Sequence, residues 1–159
     1  NHNYEVHFVE EKEFLGTAGS IKLASEFIDS TFFVSNCDIL IDDDYANILD
    51  FHKESKNEIT IVAAIMQSSI PYGVLETNNE GQLIEINEKP EYYYKINSGL
   101  YILEPSVFKY IPANKLFHIT DLIKLLMEQQ RRVGVFPVSK ESWTDMGNWD
   151  EFLKHVKFR

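Results

Sequence analysis

The chain of 159 residues is 44% hydrophobic and 13% aromatic, enough to bury one sizeable core, which excludes wholesale disorder. With 15 basic against 25 acidic residues its formal charge is −10. That balance argues against nucleic acid or an anionic membrane as partner, and leaves room for a phosphorylated small molecule met by local cations or a metal ion.

The length suits one domain, residues 1–159. The lone Cys37 cannot close an internal disulfide, so a reducing cytoplasm is the default compartment, and at a strand end it reads as a small buried hydrophobe. Neither a signal peptide nor an apolar run of membrane-spanning length stands in the sequence. The opening Asn1-His2-Asn3-Tyr4, without a Met, reads as the middle of a longer chain.

In chain order, residues 4–9 alternate weakly and predict a strand. After a charged connection, Leu15 to Ser20 reads as a small-residue turn. A helix of about two to three turns follows from near Gly19 or Ser20, carrying Ile21, Leu23, Ala24, Phe27 and Ile28. Thr31 to Asp38 predicts a strand that ends in a carboxylate; its near-continuous apolarity suggests a central strand covered on both faces. Tyr45 to Lys53 predicts a helix with Asp42 to Asp44 at its favourable N-terminal end. Glu58 to Met66 is a second buried strand.

Gly73 to Glu76 and Gln82 to Ile86 flank a turn-forming loop and predict a hairpin. Asn97 to Leu103 predicts a strand, Glu104-Pro105-Ser106 a helix start, Thr120 to Gln130 an amphipathic helix and Val133 to Val138 a strand. Trp143 to Gly147 is a loop or short strand, and Asn148 to Val156 a final helix. Strands alternating with helices, plus one hairpin insertion, predict a three-layer α/β/α sandwich with a mostly parallel sheet.

Ligands of open α/β sheets bind beyond the carboxyl ends of the strands. Asp38 sits at such an end, and Asp145 lies in a distant segment; brought together, two aspartates make a hard oxygen site suited to Mg²⁺. An Asp after a strand is more often a cap or turn residue. In Glu88-Lys89-Pro90 the proline disfavours helical backbone at Lys89, so the tripeptide is expected to be extended, with Glu88 and Lys89 on opposite sides. The carboxylate could accept hydrogen bonds from sugar hydroxyls and the ammonium could meet a phosphate, or both could be a solvated strand end. Asn97-Ser98-Gly99 could be a polar binding edge or a bulge, and Gly73 a turn or a point of close ligand approach. Tyr92-Tyr93-Tyr94 reads as a partly exposed aromatic loop or a subunit contact. The five histidines show no metal-ligand spacing, and neither a P-loop nor a nucleophile elbow is present.

The order of these pieces is more telling than any one of them. Leu-Gly-Thr-Ala-Gly-Ser, Phe-Val-Ser-Asn-Cys-Asp, Tyr-Gly-Val, Glu-Lys-Pro, Asn-Ser-Gly-Leu-Tyr and Trp-Thr-Asp-Met-Gly, from about Leu15 to Phe152, resemble the sugar-phosphate nucleotidyltransferases. The likeness is nearest to the mannose-1-phosphate guanylyltransferase-like branch. The resemblance implies a Rossmann-like nucleotide-sugar transferase fold and transfer of a nucleotidyl group from a nucleoside triphosphate to a sugar 1-phosphate. It implies that Gly16, Thr17, Ala18 and Gly19 hold the nucleoside through backbone groups, that Asp38 and Asp145 coordinate Mg²⁺, that Gly73, Glu88 and Asn97 line the sugar pocket, and that Lys89 contacts the sugar phosphate.

The family pattern opens with a Gly-rich loop carrying an Arg. No such loop precedes Leu15, and Cys37-Asp38 stands where the pattern often has Gly-Asp. The first βαβ units are therefore expected to be lacking, and these 159 residues alone are expected to be catalytically inactive or nearly so. Uncovered strand edges would favour a homo-oligomer. The alternative reading is a non-catalytic module that binds sugar phosphates or regulates a partner. A glycosyltransferase with a metal-binding Asp-x-Asp, here within Asp42-Asp43-Asp44, is a third.

Overall fold

A computed structural model describes residues 4–148. In chain order they form helix α1 (Gly16–Leu23), a 3-10 turn (Ala24–Phe27), strands β1 (Phe32–Ser35) and β2 (Ile39–Ile41), and helix α2 (Tyr45–Glu54). Strands β3 (Ile59–Ser69), β4 (Val74–Thr77), β5 (Leu83–Asn87) and β6 (Glu91–Leu103) follow. Next come a 3-10 segment (Pro105–Tyr110), helix α3 (Ile119–Glu128), and strands β7 (Val133–Val138) and β8 (Trp143–Asp145). The main sheet has the order β1-β6-β3-β7; β4–β5 and β2–β8 are separate two-stranded sheets. The fold is mixed α/β with a mostly parallel central sheet, as the alternation of elements predicts. Within it β6 runs antiparallel to β1, with Phe32 opposite Leu103 and Ser35 opposite Leu100. No helix of the described residues is long and apolar enough to cross a membrane.

The described residues fall into two compact units, 4–36 with 44–62 and 99–136, and 37–43 with 63–98 and 137–148. In the first, α3 places Ile119, Leu122 and Leu126 on one buried face, where they cluster with Ile59, Leu103 and Val107. The start of α3 is held by Asp121 Oδ2, which accepts from the His118 N–H at 3.1 Å, and by Thr17 Oγ1, which accepts from the Ile119 N–H at 2.9 Å. Helix α2 begins at Asp44, whose carboxylate accepts from the Ala46 N–H at 2.8 Å, the ordinary work of an N-cap.

Three expectations are corrected in this unit. Residues 4–9 form no strand. The Leu15–Ser20 turn is instead the first stretch of α1: Gly16 takes φ +75°, and a side chain on Gly16 or Gly19 would strike the backbone of residues 115–117. Small residues here serve close packing of two chain segments, a need that reads from sequence as a turn. Strand β1 is also not covered on both faces. It ends the strand order, with Phe32 and Val34 half-buried and Phe33 and Ser35 exposed.

A buried polar chain crosses the same unit. Asn57 Nδ2 donates to Thr60 Oγ1 at 3.0 Å, which leaves the threonine proton for His52 Nδ1 at 2.8 Å. His52 then carries its own proton on Nε2 and donates to Glu104 Oε1 at 3.1 Å, an oxygen that also accepts from the Thr31 hydroxyl at 2.6 Å. Burial is the largest influence on His52 and holds its pKa below the ordinary 6.5; Glu104 opposes that shift and Lys53 adds to it. The unfolded chain therefore takes up this proton more readily than the folded one. The stability contributed by neutral His52 is present above pH 6.5 and is lost as pH falls from there through the lowered folded value. Urea denaturation at about pH 7.5 and about pH 5.5 should show this loss, and His52→Gln should flatten it. An equal slope in the variant would exclude His52 as its source.

In the second unit β4 and β5 pair antiparallel, Leu75 opposite Ile86. Their turn is closed by Asn78 Oδ1, which accepts from the N–H groups of Glu80 and Gln82, and by Gly81 at φ +82°. Strand β6 begins six residues before the predicted Asn97 and takes in Tyr92-Tyr93-Tyr94, read from sequence as a loop. The rings of Tyr92 and Tyr94 stack with centroids 6.4 Å apart. Cys37 is exposed, not buried, because β1 stops at Ser35 and Cys37 falls in the turn before β2. The predicted helix Asn148–Val156 lies outside the described residues from position 149 onward.

Candidate active site

Two three-residue strands assemble the acidic centre of the second unit. Strand β2 pairs antiparallel with β8, with Ile39 opposite Asp145 and Ile41 opposite Trp143. The ladder extends at both ends, through Met146 N–H to Asp38 O at 2.7 Å and Asp42 N–H to Ser142 O at 2.8 Å. Trp143 fastens β8 through its Nε1–H, which donates to Ser98 O at 3.1 Å, and the Lys140 ammonium lies 4.6 Å from the centre of its ring. Asp145 Oδ1 accepts from the Gly147 N–H at 2.9 Å, which fixes the carboxylate.

Asp38 and Asp145, more than a hundred positions apart, thus meet. A carbon placed on the Gly147 Cα would lie 2.9 Å from Asp38 Oδ2 and 3.1 Å from Asp145 Oδ1, so both oxygens face one small space. Among the described residues no three His, Cys, Asp or Glu side chains gather at a metal-binding distance. Two carboxylates fit Mg²⁺, which takes one or two from protein and fills its remaining positions with water and substrate phosphate.

Gly73, Glu88 and Lys89 stand at the base of the β4–β5 hairpin. A side chain at Gly73 would meet Glu88 Oε2 at 2.8 Å, so glycine there leaves room for the carboxylate. Glu88 and Lys89 are exposed, but the tripeptide is not extended: Lys89 has φ +48°. Lys89 N–H donates to Tyr72 O at 3.3 Å and Ile70 N–H to Pro90 O at 3.1 Å, closing a bend. Pro90 disfavours right-handed backbone at Lys89, and the bend is made in the left-handed region. Asn97 lies inside β6 and is exposed, next to buried Ser98.

Gly16, Thr17, Ala18 and Gly19 belong to the first unit. The N–H groups of Ala18 and Gly19 both donate to Phe117 O at 3.0 Å. These two donors are engaged in the fold, a correction to the expectation that the backbone here is turned to a ligand. Gly16, Ala18 and Gly19 are buried and Thr17 is exposed. Asp44, part of the Asp-x-Asp alternative, serves as the α2 cap. Sequence reasoning gave no role to Trp143 or Gly147, although both lie in the quoted Trp-Thr-Asp-Met-Gly; the short spacing from Asp145 was the available signal.

Two short strands bring remote carboxylates together within an α/β fold, a candidate site for a divalent cation. The chain belongs to the nucleotidyl transferase family, which it matches over residues 1–159. It is 35% identical over 156 residues to the mannose-1-phosphate guanyltransferase of Yarrowia lipolytica, covering 93% of this chain and 42% of that protein. Among solved structures it resembles HddC from Yersinia pseudotuberculosis, with a TM-score of 0.68 and 28% identity over 96% of this chain and 66% of that one. It also resembles HddC complexed with GMP-PN, with a TM-score of 0.64 and 25% identity over 92% of this chain and 64% of that one. The chain spans less than half the length of the curated relative.

Proposed function

We propose that the protein transfers a nucleotidyl group from a nucleoside triphosphate to a sugar 1-phosphate, with GTP and a hexose 1-phosphate as the favoured pair. The supporting observation is the convergence of Asp38 and Asp145 over Gly147 in a chain that matches the nucleotidyl transferase family throughout. The guanylyl preference follows the names of its relatives. An oxygen of the sugar phosphate attacks the α-phosphorus, a new P–O bond forms, and the bond to the β-phosphate breaks with release of pyrophosphate. Both reactants are anions, so the protein's task is alignment and charge neutralisation.

Asp38 and Asp145 would hold Mg²⁺, which when bound offsets charge on phosphate oxygens. Lys89 orients the attacking phosphate. Glu88 accepts hydrogen bonds from sugar hydroxyls in the room left by Gly73, and Asn97 adds a polar contact.

Pyrophosphate release by the whole protein tests it, with four nucleoside triphosphates crossed against mannose 1-phosphate and glucose 1-phosphate. Release that needs both substrates and is fastest with GTP is the expected result. Tight binding of a nucleotide sugar without pyrophosphate release would replace the transferase with a binding module.

A further inference from the structure

The identity of residue 147 follows from neither its backbone nor its packing against the core. Glycine is needed where φ is positive, and Gly147 is not among the residues with positive φ. Nor, among the described residues, do the three atoms nearest to a carbon added there belong to an apolar side chain. The nearest atoms to a carbon added at Gly147 are Asp38 Oδ2 at 2.9 Å, Asp145 Oδ1 at 3.1 Å and Asp38 Cγ at 3.7 Å. The space that glycine keeps open is therefore bounded by the two candidate ligands. Two like charges facing one gap repel, and among the described residues neither carboxylate forms an ion pair with a lysine, arginine or histidine. Their convergence is favourable once a cation stands between them. The Gly147 N–H also orients Asp145 by donating to Oδ1, an oxygen with a further lone pair for a cation.

We propose that Gly147 is a positioning residue of the divalent-cation site: its bare α-carbon keeps open the gap between Asp38 and Asp145, and its amide aims Asp145 into it. The proposal rests on the reading of these aspartates as cation ligands. A methyl at 147 would push the exposed Asp38 carboxylate aside. That displacement costs the fold little and separates the pair.

Mn²⁺ binding to the whole protein without nucleotide, followed by electron paramagnetic resonance and calorimetry, gives a readout independent of turnover. Gly147→Ala should keep the metal-free melting temperature of the parent and bind Mn²⁺ about 10–100-fold more weakly, the scale on which residues that orient metal ligands act. Asp145→Asn should lose binding further. Parent-like affinity in Gly147→Ala, with loss in Asp145→Asn, overturns the role of Gly147 alone. A parent that takes up no Mn²⁺, or parent-like affinity in Asp145→Asn, overturns the site and the role of Gly147 with it. If Gly147→Ala lowers the metal-free melting temperature, the same change in an Asp38→Ala background decides. Recovery there confirms that the methyl acts against the carboxylate, and persistence refutes it.

Discussion

Asp145→Ala in the whole protein is expected to lower turnover by about 100-fold or more, the scale of removing one pre-organised electrostatic group from a reaction centre. Its carboxylate is half-buried, set opposite Ile39 by the β2–β8 ladder and fixed by the Gly147 N–H. Little reorganisation is then needed when phosphate charge arrives. Asp145→Asn keeps the shape and the hydrogen bond while removing the charge, so it should fall nearly as far. Steady-state pyrophosphate release checks both, with circular dichroism to show that the variants are folded. Full activity in either variant would remove Asp145 from the chemistry.

The second large effect is on stability. Leu122→Ala should cost about 2–5 kcal/mol in urea denaturation, since it deletes a fully buried side chain and leaves a cavity. Leu122 shares its cluster with Ile59, Leu103 and Leu126, from three different elements, so no single side chain can close the gap. Folded domains hold only about 5–15 kcal/mol in all, so the variant should lie close to unfolding at physiological temperature. A loss below about 1 kcal/mol would mean that the cluster repacks around the void.

Local chemistry made much of this legible beforehand. The Ile59–Ala64 run, the Asn78–Gly81 turn and the Leu122–Leu126 spacing each carry a short-range signal, and each became the element it predicted. The acidic pair was legible through the order of motifs, since no local rule joins Asp38 to Asp145. What stayed hidden depends on partners remote in sequence. Strands of three residues such as β2 and β8 are too short to show a period. The Gly16–Gly19 segment looked like a turn because close packing against residues 115–117 and loop flexibility ask for the same small residues. The three tyrosines of β6 looked like a loop because they alternate with nothing. The bend at Lys89 escaped because proline narrows the choice of backbone at the preceding residue without selecting one.

The β2–β8 ladder also sets an order of events during synthesis. Asp38 leaves the ribosome roughly a hundred residues ahead of Asp145, an interval of about 5–20 s at ordinary elongation rates. Until then the first carboxylate has no companion across the strand, and a nascent chain cannot use a captured cation to steady its early folding.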